Sequence, residues 1–246
     1  MTELNGKKAL VTGGSRGIGA AIATHLAVAG ADVAITYHHS SAAAEETVVQ
    51  IQRAGRRGTA IQVDAAQSES VIAAVNETVS TLGGLDILVN NAGIFEMKPV
   101  GETTLEDFDR MVAVNVRAVF AAVNEAVKQM GSGGRIINIG SVNGDVMPFA
   151  GGSLYAMSKG AVAAMSQGWA RDLGPKGITV NTIQPGPIDT DMNPADGDFA
   201  ESLNAMTALG HYGKPKDIAE LATFLASPRA AYITGAALNI DGGLTA

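Results

Sequence analysis

The sequence predicts an α/β fold in which a parallel sheet is covered by helices on both faces. Short apolar runs typical of buried strands alternate along the chain with longer amphipathic runs typical of helices. Parallel strands need crossover connections, so this alternation indicates a parallel sheet rather than hairpins. The chain has 246 residues, enough to bury a large core, and we expect a single domain spanning residues 1–246.

Each of these runs is assigned to a predicted strand or helix. The predicted strands are residues 9–12, 32–36, 58–63, 86–90, 135–140, 178–184 and 236–240. The predicted helices are residues 17–29, 42–53, 69–82, 105–130, 154–173 and 215–226, and the fourth is long enough to contain a break. Residues 186–212, rich in Pro, Asp, Gly and Met, are predicted to be irregular, and a loop of this length in a compact domain is usually functional.

Composition excludes several functional classes. A net charge of −7 without runs of Lys or Arg argues against a nucleic-acid surface. The absence of Cys excludes disulfides, thiolate metal sites and a Cys nucleophile. No apolar stretch approaches the ~20 residues that span a bilayer, and residues 1–8 are too polar for a signal peptide. We therefore expect a soluble cytoplasmic protein without a membrane or nucleic-acid partner.

A glycine-rich turn follows the first predicted strand. Gly13, Gly17 and Gly19 open a helix, and such a turn lets the backbone approach a pyrophosphate that faces the helix N-terminus. Glycine also serves tight packing between a helix and a strand, so the turn alone is weak support. Its position after the first strand of an alternating pattern favours dinucleotide binding.

The second predicted strand ends without the acid that would bind the ribose 2′-hydroxyl of NAD(H). Arg16 in the glycine-rich turn offers a guanidinium to a 2′-phosphate, so we favour NADP(H) over NAD(H). The alternative for Arg16 is a solvated surface charge. His38 and His39 are interpreted as loop residues or adenine contacts, and no metal site is expected because the other histidines are distant in sequence.

Tyr155 and Lys159 lie four residues apart at the start of a predicted helix and therefore share one face. A neighbouring ammonium favours the phenolate and lowers the pKa of a tyrosine, which suits proton transfer near neutral pH. The bare spacing is more typical of a solvated helix face. Ser141 ends the fifth predicted strand, where a site residue belongs, although a serine there also suits a turn cap.

With these motifs the chain resembles short-chain dehydrogenases/reductases over nearly its whole length. The matching positions are, in order, residues 12–19, Asp64, residues 90–93 (Asn-Asn-Ala-Gly), Asn115, Ser141, Tyr155, Lys159, Pro185 and Gly186. The resemblance implies a Rossmann-type doubly wound sheet of seven strands in the order 3-2-1-4-5-6-7. It also implies a homotetramer or a homodimer.

The resemblance further implies a role for each site residue. Tyr155 would donate a proton, Ser141 would hold the carbonyl oxygen, and Lys159 would lower the Tyr155 pKa and bind the nicotinamide ribose. Asn115 would hold a water that links Lys159 to solvent, or would be purely structural. Cofactor contacts are implied for Gly13, Ser15, Arg16, Gly17, Ile18, Gly19, Tyr37, His38, Asp64, Asn91, Ala92, Gly93, Tyr155, Lys159, Pro185, Gly186, Ile188 and Thr190.

The activity implied is reduction of a ketone or 3-oxoacyl group on a small molecule, or the reverse oxidation of an alcohol. Residues 187–212 would form a substrate loop, and the pocket would include Val142, Met147, Phe149 and Met192, although the methionines could equally be core. Residues 177–181, 232–235 and 241–243 resemble 3-oxoacyl-acyl-carrier-protein reductases. A carrier protein would need a basic patch beside the cleft, for which Lys128 and Arg171 are the candidates.

Three short stretches of the sequence suggest an alternative to the reductase, a nucleotide-binding regulatory protein. Residues 139–145, 184–191 and 193–195 resemble a member of the family described as a cyclic-di-GMP-binding mediator of biofilm dispersal. A pure binding protein would have no chemical use for the Tyr-Lys pair, so its retention favours an enzyme. A dianionic ligand would also be opposed by four carboxylates of the substrate loop, those of Asp189, Asp191, Asp196 and Asp198.

Overall fold

The computed structural model describes residues 3–246, so the first two residues of the segment judged too polar for a signal peptide lie outside it. A seven-stranded parallel sheet forms its centre, in the order β3-β2-β1-β4-β5-β6-β7. This confirms the predicted Rossmann-type order, which reverses between β1 and β4. The strands are β1 Lys8–Val11, β2 Asp32–Tyr37, β3 Gly58–Gln62, β4 Ile87–Asn90, β5 Arg135–Ile139, β6 Thr179–Pro185 and β7 Ala237–Ile240.

Helices cover both faces of the sheet. They are α1 Gly17–Val28, α2 Ser41–Arg53, α3 Ser68–Leu82, α4 Leu105–Val112, α5 Ala118–Ala126, α6 Ser153–Leu173, α7 Ala200–Met206 and α8 Pro215–Ala226. Side chains alternate along each strand, so Val11 of β1 packs in the core with α1 and α8, whereas Leu10 packs in the core with α3, α5 and α6. The strands are therefore apolar on both faces, which explains why they read as continuous apolar runs.

The long predicted helix 105–130 is interrupted. The α4 helix begins with a capping box in which Asp107 N donates to Thr104 Oγ (3.1 Å) and Thr104 N donates to Asp107 Oδ2 (3.0 Å). A π turn, Ala113–Arg117, then separates α4 from α5, and α5 ends at Ala126. Wide turns of this kind are frequent at functional sites, and this one contains Asn115.

The segment predicted to be irregular contains a short helix, α7, so the prediction was wrong for these seven residues. Ala200 and Leu203 of α7 are buried with Tyr212 in a small apolar cluster. Seven residues offer too few positions for a helical period to stand out in the sequence, and such a short helix depends on tertiary packing, here with Tyr212 and Phe149. Among the helices between residues 3 and 246, none combines the length and the apolar character needed to cross a membrane.

Candidate active site

A cleft of about 1190 Å³ opens at the carboxyl ends of the strands, where ligands bind in sheets of this order. Every predicted cofactor residue lines it, as do Ser141, Tyr155 and Lys159. Asn115 does not line the cleft but lies buried behind its wall. The topology thus brings together residues that are far apart in the chain.

The glycine-rich turn is shaped for close approach to a ligand. Gly13 and Gly17 have φ values of +65° and +54°, which favour glycine, and a Cβ on Gly19 would overlap the carbonyl of Gly13. Asn91 fixes the turn to the end of β4, because its Nδ2 donates to the carbonyls of Thr12 (2.9 Å) and Gly13 (3.0 Å). The turn therefore fits the pyrophosphate of a dinucleotide.

The adenosine end of the cleft lies beside β2 and β3. The rings of His38 and His39 are 3.6 Å apart between centroids, and Gln62 Nε2 donates to the His38 carbonyl (3.0 Å). Asp64 Oδ1 accepts a hydrogen bond from Ala66 N (2.9 Å). Across residues 3–246, no group of His, Cys, Asp and Glu side chains has the arrangement of a metal site.

Ser141 and Tyr155 face each other at the opposite end of the cleft, which is the end predicted to be catalytic. Ser141 follows β5, and its buried Oγ accepts a hydrogen bond from Asn143 N (3.1 Å) at the start of a 3₁₀ turn, Val142–Gly144. Tyr155 lies in the first turn of α6, with its ring edge-on to Phe95 at 4.8 Å between centroids. Burial raises the pKa of Tyr155, and the hydrogen bond with Ser141 acts in the opposite direction.

Lys159 is buried beneath Tyr155. Its Nζ donates to the carbonyl of Ile139 (2.8 Å) and lies 5.7 Å from the centroid of the Tyr155 ring. Burial lowers the pKa of Lys159 to about 8. The expectation that Lys159 lowers the Tyr155 pKa does not match this geometry, because the ammonium is directed to the main chain of β5 and the Tyr155 pKa is raised.

Asn115 connects the π turn to the segment after β4. Its Oδ1 accepts from Ile94 N (2.8 Å), and its Nδ2 donates to Ile94 O (2.9 Å) and Ser158 Oγ (3.1 Å). A contact with Met111 Sδ (3.0 Å) completes the set. The polar atoms of the Asn115 side chain are therefore all hydrogen-bonded within the protein, which supports a structural role for this residue. A water that links Lys159 to solvent would have to bind the main chain of Asn115 instead.

The predicted substrate pocket is present only in part. Val142, Phe149 and Met192 line the cleft, whereas Met147 does not, because its thioether packs against Gly152 at the start of α6. Phe95 also lines the cleft and was not among the predicted site residues, although it follows the Asn-Asn-Ala-Gly segment at the carboxyl edge of β4. Its place at the carboxyl end of a strand, where site residues belong, would have been sufficient to predict Phe95 as a site residue.

The two candidates for a carrier-protein patch lie away from the cleft. Lys128 follows α5, and Arg171 lies in the last turn of α6, where these helices return the chain to the amino ends of β5 and β6. Neither residue lines the cleft, and Lys128 Nζ is paired with Glu125 Oε2 at 2.6 Å. The sequence-based suggestion of docking through these residues is therefore not supported.

Comparisons with known proteins agree with this architecture. A family model described as enoyl-(acyl carrier protein) reductase matches residues 13–245. The cyclic-di-GMP-binding biofilm dispersal mediator protein of Escherichia coli (strain K12) is 45% identical over 246 residues, covering 100% of both chains.

Two solved structures are similar over nearly the whole chain. A short-chain dehydrogenase from Burkholderia cenocepacia J2315, in complex with NADP, has a TM-score of 0.98 and 52% identity, covering 99% of this chain and 100% of that chain. BdcA in complex with NADPH has a TM-score of 0.91 and 45% identity, covering 98% of this chain and 95% of that chain. Both nucleotides agree with the predicted preference for NADP(H).

The sheet order and the glycine-rich turn define a Rossmann-type nucleotide-binding protein. Full-length relatives and the family match then identify the family, as the sequence resemblance predicted. The chain belongs to the short-chain dehydrogenase/reductase family of oxidoreductases.

Proposed function

We propose that this protein is an NADPH-dependent carbonyl reductase that acts on a ketone or 3-oxoacyl group of a small molecule. The observation that carries the proposal is the convergence of Ser141, Tyr155 and Lys159 on one cleft with the glycine-rich turn. Reduction of a carbonyl develops negative charge on its oxygen, so a proton donor and a hydrogen-bond donor must meet there. Tyr155 and Ser141 meet this requirement.

Each site residue has its own role in the proposed reduction. When bound, NADPH supplies the hydride. Tyr155 donates its phenolic proton to the carbonyl oxygen, and Ser141 orients that oxygen with its hydroxyl. The raised pKa of Tyr155 keeps the phenol protonated and ready to donate at neutral pH. Lys159 holds the nicotinamide ribose, and the main chain of Asn115 in the π turn supplies the water contact that its occupied side chain cannot.

The preference for NADP(H) rests on two features. The glycine-rich turn and the segment after β2 carry Arg16, His38 and His39 and contribute no carboxylate of their own, unlike the acid that binds the ribose 2′-hydroxyl in NAD-type sites. The Burkholderia relative and BdcA were crystallised with NADP and NADPH, respectively. The glycine-rich turn fits the shared dinucleotide portion.

The test is a Tyr155→Phe variant assayed for loss of NADPH absorbance with a panel of ketones and 3-oxoacyl thioesters. Loss of the proton donor should lower kcat by roughly 10²- to 10⁴-fold, while NADPH binding measured by fluorescence stays unchanged. Tyr232→Phe removes the same hydroxyl from a fully exposed ring and serves as the control. Undiminished turnover by Tyr155→Phe would refute the mechanism.

A second candidate is a cyclic-di-GMP-binding regulator on the same scaffold. The observation that favours it is the full-length similarity to the Escherichia coli mediator. The exposed carboxylates of Asp191 and Asp198, which line the cleft, and of Asp196 on the same loop disfavour a dianionic ligand. Tight cyclic-di-GMP binding without turnover on any carbonyl would select this candidate over the reductase.

Assembly and location stay predictions. A homotetramer or homodimer in the cytoplasm, formed by a single-domain chain, is what the family resemblance and composition favour. Size-exclusion chromatography with light scattering would determine the oligomeric state.

A further inference from the structure

Arg16 of the glycine-rich turn forms an ion pair with Asp191 of the substrate loop. Arg16 Nη1 lies 3.3 Å from Asp191 Oδ2, and both side chains are largely exposed, at 63% and 71%. The two residues are separated by 175 positions in the chain. The pair therefore joins the segment that would bind the cofactor to the segment that would cover the substrate.

Asp191 is presented to Arg16 by a tight turn. Thr190 and Asn193 are paired across it, with Asn193 N donating to Thr190 O (2.9 Å) and Thr190 N to Asn193 O (3.3 Å). Tyr212 donates its hydroxyl to Asn193 Oδ1 (3.1 Å) and so anchors the base of the turn. Asp191 and Met192 form its tip, which means that movement of one residue moves the other.

Arg16 is the cation available to a phosphate at the adenosine end of the cleft. Within residues 3–246, the other Arg and Lys residues that line the cleft are Arg110 and Lys159. Arg110 is already paired with Glu96 and Asp107, and Lys159 is buried against β5 at the catalytic end. A 2′-phosphate therefore has to compete with Asp191 for Arg16.

We propose that Asp191 is a specificity-determining residue that competes with the 2′-phosphate of NADP(H) for Arg16. The proposal rests on the proposed function to the extent that NADP(H) must bind in this cleft. A phosphate offers the guanidinium more charge and a bidentate geometry, whereas an exposed pair of single charges is weak and screened. NADP(H) displaces Asp191, and NAD(H), which lacks the 2′-phosphate, leaves the pair intact.

Displacement of Asp191 has a consequence at the substrate end. Met192, which is adjacent to Asp191 at the tip of the turn, lines the same cleft. Binding of the 2′-phosphate therefore releases the part of the substrate loop that carries Met192, and binding of NAD(H) does not. The cofactor's phosphate and the position of the substrate loop are coupled through one carboxylate.

The direct test is Asp191→Asn, with the dissociation constants of NADPH and NADH measured by fluorescence titration at low ionic strength. The variant should bind NADPH about two- to five-fold more tightly, with a smaller change for NADH, and added salt should reduce the difference. Asp196→Asn removes the same charge from the same loop at an exposed position outside the cleft lining and is the matched control. It should leave the ratio of the two constants unchanged.

A double-mutant cycle assigns the effect to Arg16. In an Arg16→Gln background, Asp191→Asn should no longer change NADPH affinity, because the residue it competes for is absent. The proposal is overturned if Asp191→Asn leaves the ratio unchanged or weakens NADPH binding. It is also overturned if Asp196→Asn has the same effect, or if the effect persists without Arg16.

Different results would refute the role of Asp191 and the proposed reductase activity. Wild-type protein that reduces ketones, combined with an unaltered affinity ratio in Asp191→Asn, refutes the role of Asp191 alone. Protein that shows the affinity shift but reduces no carbonyl supports the role of Asp191 and refutes the reductase.

Discussion

Lys159 donates a hydrogen bond from Nζ to the carbonyl of Ile139, over 2.8 Å, and so ties α6 to the end of β5. Only 6% of Lys159 is exposed, and within residues 3–246 no carboxylate lies close enough to form an ion pair with it. Its charge is therefore stabilised only by the Ile139 carbonyl and the face of the Tyr155 ring, while burial opposes the charged form. The lowered pKa of about 8 is the result.

This burial predicts an unusual dependence of stability on pH. The folded-state pKa of Lys159 lies below the ordinary lysine value of 10.5, so between about pH 8 and 10 the unfolded chain binds more protons. The free energy of unfolding should therefore rise with pH there, by up to about 1.4 kcal/mol per unit. Urea unfolding from pH 7 to 9.5 measures this rise. Lys159→Met should remove it and the exposed Lys128→Met should not; an equal rise in both variants would contradict the assignment.

The hydrogen bonds of Asn115 predict that truncating this side chain lowers the stability of the protein. Truncation to Ala leaves both the N–H and the carbonyl of Ile94 without their side-chain partner, so Asn115→Ala should lower the free energy of unfolding by about 2 to 3 kcal/mol. Asn124→Ala is the control, because exposed Asn124 makes only a local bond to Phe120 O. Chemical denaturation of both variants gives the comparison. Equal, small losses would show that the Asn115 network does not hold the π turn in place.

The strands of the sheet could be predicted from the sequence, whereas several features of the site could not. Strands buried on both faces stand out as apolar runs, and their order followed from the family resemblance. Helix α7 escaped detection because its seven residues are too few to show a helical period, and because its apolar cluster includes Phe149 from a distant part of the chain. Met147 was misplaced for a similar reason, since its contact with Gly152 depends on how the chain folds back on itself.

The electrostatics of the site were the hardest part to predict. The spacing of Tyr155 and Lys159 fixes which helix face they share, but a flexible lysine side chain can reach several partners. The partner it reaches is Ile139, twenty positions away in the chain and adjacent only in the fold. Likewise, nothing in the glycine-rich turn indicates that Arg16 meets a carboxylate from beyond β6.

Asp107 predicts sensitivity to acid. Hydrogen bonds from Lys98 (2.7 Å), and then from Thr104, hold the pKa of this carboxyl well below its usual range. The stabilisation is therefore present above about pH 4 and is lost as the pH falls below it. The melting temperature of Asp107→Asn should lie below that of the wild type at pH 7, and the gap should narrow at pH 3. Exposed Asp109→Asn should match the wild type throughout, and a gap independent of pH would contradict the role of the charge.

Two helical glycines predict opposite effects of the same substitution. A Cβ on Gly19 would overlap the Gly13 carbonyl and the Asn91 amide, so Gly19→Ala must displace the cofactor turn. It should cost about 1 to 3 kcal/mol of stability and weaken NADPH binding. A Cβ on Gly168 in α6 meets nothing within 4 Å, so Gly168→Ala should add about 0.5 to 1 kcal/mol and leave binding unchanged. Urea unfolding and NADPH titration of both variants make the comparison. Equal effects of the two substitutions would mean that packing of the turn does not require glycine at position 19.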